Sequence, residues 1–232
     1  DELFHKIIRE GKQMGVRYFE PFLDGEPFLF SRLYQWLDHM EQQRVWFTLF
    51  TNAQLLNRER VDRLIKYKRI SYVNCSINAA SATMYKHIMG RGDYDNVISN
   101  IEYLLEKANF KVRVSMVVTD ENRHEVEQFR ERWMGVPIRL NEFQNWGGKH
   151  TNPVERSGDK VSCFNVQNMY VYWDGRVGMC CFDHEADQIL GDANNNHLQT
   201  IWNESQWIRD KHNDLKFDIK PCDMCNVNTL RK

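Results

Sequence analysis

The sequence predicts an α/β fold: parallel strands joined by helices, with a smaller cysteine-bearing domain behind them. Three features of the 232 residues carry this expectation. Helical and strand patterns alternate from residue 1 to about 146, as right-handed βαβ units over a parallel sheet require. Several of those strands are polar at every second position. Residues 147–162, rich in Gly, Ser, Asn and charge, then form a linker ahead of five of the six cysteines.

The elements follow in order. Leu3, Phe4, Ile7, Ile8 and Met14 share one side of a helix over 3–14, and Gly15 stops it. VRYFEPFL (16–23) reads as the first strand. Phe30, Leu33, Trp36, Leu37 and Met40 recur at helical spacing. RVWFTLFTN (44–52) is a second strand, 58–68 is helical, and ISYVNCSIN (70–78) is a third strand. Helices near 81–89 and 94–107 precede KVRVSMVV (111–118), and a helix near 122–134 precedes PIRLNEFQNW (137–146). Beyond the linker, MYVYWDGRVGMC forms a hairpin turning at Asp174–Gly175. A loop and one helix over 197–211 lead to the closing PCDMC.

Periodicity alone leaves the sheet open or closed. Strands covered on both faces should be continuous apolar runs. Here Asn74, Ser76 and Asn78 share one face, as do Arg113 with Ser115 and Arg139 with Asn141. Burying such groups without partners costs about 1–3 kcal/mol each. A polar lumen holding a ligand or water satisfies them; an exposed sheet face or an edge strand is the alternative.

The formal net charge of −1 gives no footprint for nucleic acid or an anionic membrane. The basic run at Lys66–Arg69 is short and reads as solvated surface. No apolar run reaches the ~20 residues of a membrane span, and Asp1 opens an amphipathic stretch rather than a signal peptide. Adjacent Cys180–Cys181 and a C-x-x-C suit thiolate ligation better than disulfides, which places the chain in a reducing cytoplasm. Cys163, Cys180, Cys222 and Cys225 supply four thiolates, with Cys181 beside the second. Four thiolates accept zinc or iron–sulfur alike, and spacing does not choose between them. Cys75, opposite Asn74 and Ser76 on its strand, reads as a core thiol.

Asp24-Gly25-Glu26-Pro27 at the end of the first strand resembles the Gly-Gly-Glu-Pro motif of radical S-adenosylmethionine (SAM) enzymes, with Asp24 in place of the first glycine. Thr51-Asn52-Ala53-Gln54-Leu55-Leu56, after the next strand, is similar to the family's Thr-Asn-Gly-x-Leu-Leu, with Ala53 for the glycine. Ser76-Ile77-Asn78, Tyr85 to Gly90, Tyr94 to Ile101, Val112 to Ser115 and Asn145-Trp146-Gly147-Gly148 extend the resemblance over the barrel. Cys163-x11-Gly175-x4-Cys180 followed by Cys222-x2-Cys225 resembles the SPASM/twitch auxiliary-cluster module, supported by Leu190-Gly191-Asp192 and Ile201-Trp202-Asn203.

The resemblance implies a partial (β/α)6 TIM-like barrel over 1–148 and an auxiliary-cluster domain over 149–232. It implies SAM contacts from Gly25, Glu26, Pro27, Thr51, Asn52, Ser76, Asn78, Arg113 and Ser115. It also implies a [4Fe–4S] auxiliary cluster on Cys163, Cys180, Cys222 and Cys225, with Cys181 the lesser candidate. A low-potential donor such as flavodoxin or ferredoxin, and a peptide, protein or small-molecule substrate, follow from the same resemblance. The family's C-x3-C-x2-C loop, which holds the catalytic [4Fe–4S] cluster, has no counterpart in these residues. Residues 3–14 read as the helix that follows it, so the loop and first strand are expected just upstream of Asp1. A non-catalytic binding module on the same scaffold is the alternative.

Overall fold

The computed structural model describes residues 1–150 and 161–226; most of the expected linker lies outside them. By its internal contacts the chain divides into two compact units. One spans Arg17–Phe143, and the other joins Asp1–Val16 to the chain from Gln144 onward.

The Arg17–Phe143 unit is built on five parallel strands in sequence order: β1 (Tyr18–Phe19), β2 (Trp46–Thr51), β3 (Ile70–Ser76), β4 (Lys111–Val118) and β5 (Ile138–Glu142). Parallel neighbours need crossovers. They are supplied by α2 (Leu33–Gln42), α3 (Arg58–Leu64), the pair α4 (Ala82–Met89) and α5 (Tyr94–Lys107), and α6 (Val126–Arg132). Local sequence starts these helices cleanly. Asn57, Ser81 and Asp93 each accept from a backbone N–H in the first turn of α3, α4 and α5, a cap that contributes about 1 kcal/mol.

The two sheet faces differ as the alternation requires. Phe47, Leu49, Val73, Cys75, Val114 and Met116 are buried on one face, each apolar side chain contributing about 1.5–3 kcal/mol. The other face carries Thr48, Tyr72, Asn74, Ser76, Arg113 and Ser115, which are buried or half-buried. The expected eight-residue first strand shrinks to Tyr18–Phe19. Pro21 offers no backbone N–H for a further rung.

In the second unit, α1 (Glu2–Gln13) packs with α7 (Leu198–Glu204). Lys6 Nζ donates to the Ala193 and Asn196 carbonyls at 2.6 and 2.9 Å, and Glu10 Oε2 accepts from Leu198 N at 2.9 Å. The expected hairpin is present as β6 (Tyr170–Val171) and β7 (Arg176–Gly178), turning through Gly175 at φ +94°. A third antiparallel strand, β8 (Ile189–Asp192), occupies a stretch expected to be loop. The single helix expected over 197–211 is two, α7 and α8 (Gln206–Asn213). Ser205 breaks it: its hydroxyl donates to the Trp202 carbonyl at 3.0 Å and Arg209 Nη2 donates to the same carbonyl at 2.6 Å. Among the described residues no helix is long and apolar enough to cross a membrane.

Candidate functional site

The Gly-Glu-Pro and Thr-Asn segments meet at the C-terminal ends of neighbouring strands. Glu26 caps a 3-10 turn over Pro27–Leu29, accepting from Phe28 N at 3.3 Å. Its Oε1 also accepts from Thr51 Oγ1 at 2.7 Å and its Oε2 from Asn52 N at 2.8 Å. Both carboxylate oxygens are therefore engaged within the chain, and Glu26 works as a clip between two strand ends. What this clip presents outward is backbone: Gly25 is exposed, and a Cβ placed on it would meet nothing within 4 Å. Asn52 Oδ1 turns inward to accept from Gln54 N at 3.0 Å.

Ala53 takes φ +59°, a left-handed conformation that suits glycine, while being fully buried. Its backbone is held from both sides: Ala53 N donates to Thr51 Oγ1 at 3.0 Å, and Asn100 Nδ2 donates to its carbonyl at 2.9 Å. An alanine there bears about 1 kcal/mol of strain. Ala53→Gly is therefore expected to raise the unfolding free energy in urea, by up to about 1 kcal/mol; a lowered value would contradict this.

Register brings the polar residues of β3, β4 and β5 side by side. Asn74 stands opposite Arg113, and Ser76 opposite Ser115, which in turn faces Arg139. Asn74 Nδ2 donates to Ser115 Oγ at 2.8 Å and to Ser76 Oγ at 3.3 Å, and the two hydroxyls lie 3.3 Å apart. Asn74 Oδ1 is buried without a hydrogen-bond partner among the described residues. Arg113 lays its guanidinium over the Tyr72 ring at 4.2 Å. Arg139 instead turns to Asn141, donating through Nε at 2.7 Å. Asn78, expected on the same face, lies past the strand end at φ +62°, where its Oδ1 accepts from Val117 N at 2.9 Å. The structure thus groups Ser76, Arg113 and Ser115. Glu26, Thr51 and Asn52 form a separate network, and Asn78 ties β3 to β4. Sequence reasoning passed over Tyr72, although its parity with Asn74 and Ser76 was readable.

Cys75 is fully buried on the helix-covered face. Burial, with a smaller contribution from the Glu26 carboxylate, pushes its thiol up to about 12. At pH 8 it stays protonated, and thiols react as thiolates. Iodoacetamide at that pH should leave Cys75 unmodified until the chain unfolds, which peptide mapping would read directly.

The other five cysteines lie in the second unit, and among the described residues none of the six is in a disulfide. Cys180 and Cys222 pack into one buried cluster with Val166, Met179, Ile208 and Phe217, and Cys181 lies against it. Cys180 Sγ accepts from Phe182 N at 3.4 Å and Asn165 Nδ2 at 3.8 Å. Its hydrogen bond with Cys181, and then burial, raise its pKa; burial does the same for Cys163, with Cys181 adding to it. Cys163, Cys180 and Cys181 thus neighbour one another. Cys225 is buried at the far end of the C-x-x-C turn, its N–H donating to the Cys222 carbonyl at 3.3 Å.

That turn is anchored by the Asn145–Gly148 segment. Asn145 Nδ2 donates to the Met224 carbonyl at 2.7 Å, its N–H to Asn226 Oδ1 at 3.1 Å, and its Oδ1 accepts from Asn226 N at 3.3 Å. Gly147 and Gly148 have φ of +64° and +86°, and a Cβ on them would fall 2.4 Å from Pro221 Cβ and 2.7 Å from Met224 Cβ. Only glycine permits this approach.

Among the described residues no three His, Cys, Asp or Glu side chains converge as ligands of a single ion. The donor set still fits an iron–sulfur cluster. Four soft sulfurs lie in one unit, and a [4Fe–4S] cube takes its thiolates at separate corners rather than around one point.

The family model for the radical SAM superfamily matches residues 2–132. The chain belongs to the radical SAM superfamily. A second model, the iron-sulfur cluster-binding domain SPASM, matches residues 163–226 and so spans Cys163, Cys180, Cys222 and Cys225. Several solved structures share the fold. Streptococcus suis SuiB bound to precursor peptide SuiA superposes with TM-score 0.74 at 16% identity, over 97% of this chain and 62% of SuiB. BtrN in complex with AdoMet and 2-DOIA gives 0.65 at 15%, over 97% of this chain and 79% of BtrN. Native anSMEcpe with bound AdoMet and Kp18Cys peptide gives 0.68 at 14%, over 98% of this chain and 79% of anSMEcpe. The chain spans 62% of SuiB's length. No curated protein matches it in sequence.

Proposed function

We propose that this radical SAM chain is the SAM- and auxiliary-cluster-binding part of an enzyme that modifies a peptide or protein. The observation that carries the reading is the polar row of Asn74, Ser76 and Ser115, with the unpartnered buried Asn74 Oδ1. A buried row of this kind with an acceptor left over calls for a polar ligand.

Gly25 and Pro27 would offer backbone to the SAM amino group, with Glu26, Thr51 and Asn52 holding that backbone in place. Ser76, Ser115 and Arg113 would receive the ribose and carboxylate, and Asn78 would hold the end of β3. Residues 1–148 would serve as the radical SAM core and 149–232 as the cluster domain. Cys163, Cys180, Cys222 and Cys225 would hold one auxiliary [4Fe–4S] cluster, and a second, catalytic cluster would sit on a C-x3-C-x2-C loop upstream. With an electron from flavodoxin or ferredoxin, that cluster and SAM would supply 5′-deoxyadenosyl radical chemistry for hydrogen abstraction. The protein's part is to hold SAM and substrate in line and exclude water.

The peptides named with SuiB and anSMEcpe favour a peptide over a small molecule, which BtrN's 2-DOIA keeps as the second substrate class. The test uses the protein that contains this chain together with its upstream residues. Reduced with dithionite, it should convert SAM to 5′-deoxyadenosine, and Ser115→Ala with Arg113→Ala should raise the SAM requirement at least tenfold. Absence of a three-cysteine loop upstream, or no SAM cleavage by the reduced protein, sinks the enzyme reading and leaves a binding module.

A further inference from the structure

His212, in the last turn of α8, is fully buried, with the Phe217 ring edge-on at 5.0 Å. Its Nε2 stands 3.4 Å from Cys222 Sγ, and its Nδ1 has no hydrogen-bond partner among the described residues. An imidazole buried so completely with one polar neighbour is costly unless that neighbour repays it. A ring needed only for volume would be served by phenylalanine.

The protonation state of the sulfur decides how the pair works. A thiol can direct its own proton at Nε2. A ligating thiolate has no proton and can only accept. The tautomer with its proton on Nε2 then satisfies the donor and leaves a lone pair, not an N–H, at the unpartnered Nδ1.

We propose that His212 is a positioning residue that donates Nε2–H to the Cys222 sulfur of the auxiliary cluster, and so makes that cluster easier to reduce. This rests on Cys222 being a cluster ligand, as proposed above. Hydrogen bonds to cluster sulfurs are among the levers that set reduction potential, because a donor stabilises the added negative charge of the reduced form.

The chain contains no C-x3-C-x2-C, so the reconstituted 232-residue chain tests the auxiliary site by itself. Pulsed EPR of the reduced cluster in protein labelled with 15N-histidine should show a weak coupling from one nitrogen, of the size of a hydrogen bond and not a ligand. Absence of that coupling overturns the proposal without any variant. In an EPR-monitored redox titration, His212→Phe should shift the reduction equilibrium about tenfold toward the oxidised form, about 59 mV for one electron. His212→Gln, which keeps an N–H donor, should stay nearer the wild-type value. Equal potentials in all three proteins at equal iron content overturn the proposal too. Failure of the ligand reading looks different: Cys222→Ser would then keep its iron and its spectrum unchanged.

Discussion

Cys180→Ala is expected to strip the C-terminal unit of its cluster, while Cys181→Ala keeps it. Anaerobically reconstituted wild-type chain should carry about four iron atoms with broad visible absorption. Cys180→Ala should lose most of both, and Cys181→Ala should resemble wild type. The difference lies in the surroundings of the two sulfurs. Cys180 shares its buried cluster with Cys222 and already receives the Phe182 N–H at its sulfur. Such donors stabilise a thiolate ligand. Cys181 is half-buried at the edge of the same cluster. Because ligand binding to the folded state is folding free energy, the Cys180 variant should also melt earlier than wild type in the reconstituted state. Iron analysis and absorption decide the matter, and the reverse pattern would reassign the ligand to Cys181.

Glu26→Ala is expected to cost about 3 kcal/mol of stability in urea unfolding, taking about 1–3 kcal/mol per abandoned donor with partial relief by water. Three donors lose their acceptor at once: Thr51 Oγ1, Asn52 N and Phe28 N. Thr51 would keep only its role as acceptor for Ala53 N. Glu26→Gln retains one carbonyl oxygen and should cost about half as much. If both variants unfold like wild type, the clip is not what holds the two strand ends together. On the proposed role of the Gly25 backbone in holding SAM, the same variants should also weaken SAM binding, with Ala the worse of the two.

The sheet's polar face was legible because a period of two is intrinsic to a strand, so Asn74, Ser76, Arg113 and Ser115 declare their side wherever the neighbours fall. Their pairing was not legible. Asn74 opposite Arg113 depends on how far β4 slides along β3, which the two crossover helices set. Asn78 misled for a local reason: its parity matched, but the strand ends at Ser76 and the backbone turns left-handed two residues later. Thr51 and Asn52 were rightly placed at a strand end, yet nothing local says that their groups are taken up by a glutamate 25 or so residues earlier. β8 escaped notice because four residues without alternation gain strand character only from β7 beside them. The bond between Asn145 and the C-x-x-C turn bridges about 80 residues, and no periodicity reports a contact of that span.

The attachment of α1 sets an order of events during synthesis. The helix is made well before its partners: its hydrogen bonds to Ala193, Asn196 and Leu198 wait for residues almost 190 positions later. At about 5–20 residues per second, that is roughly ten to forty seconds on the ribosome. The sheet of residues 17–143 has all its strands well before then. Until then α1 has Leu3, Ile7 and Met14 without the Val177, Ala193, Leu198 and Ile201 cluster that they pack against in the folded chain, which makes the helix a natural client for a holding chaperone.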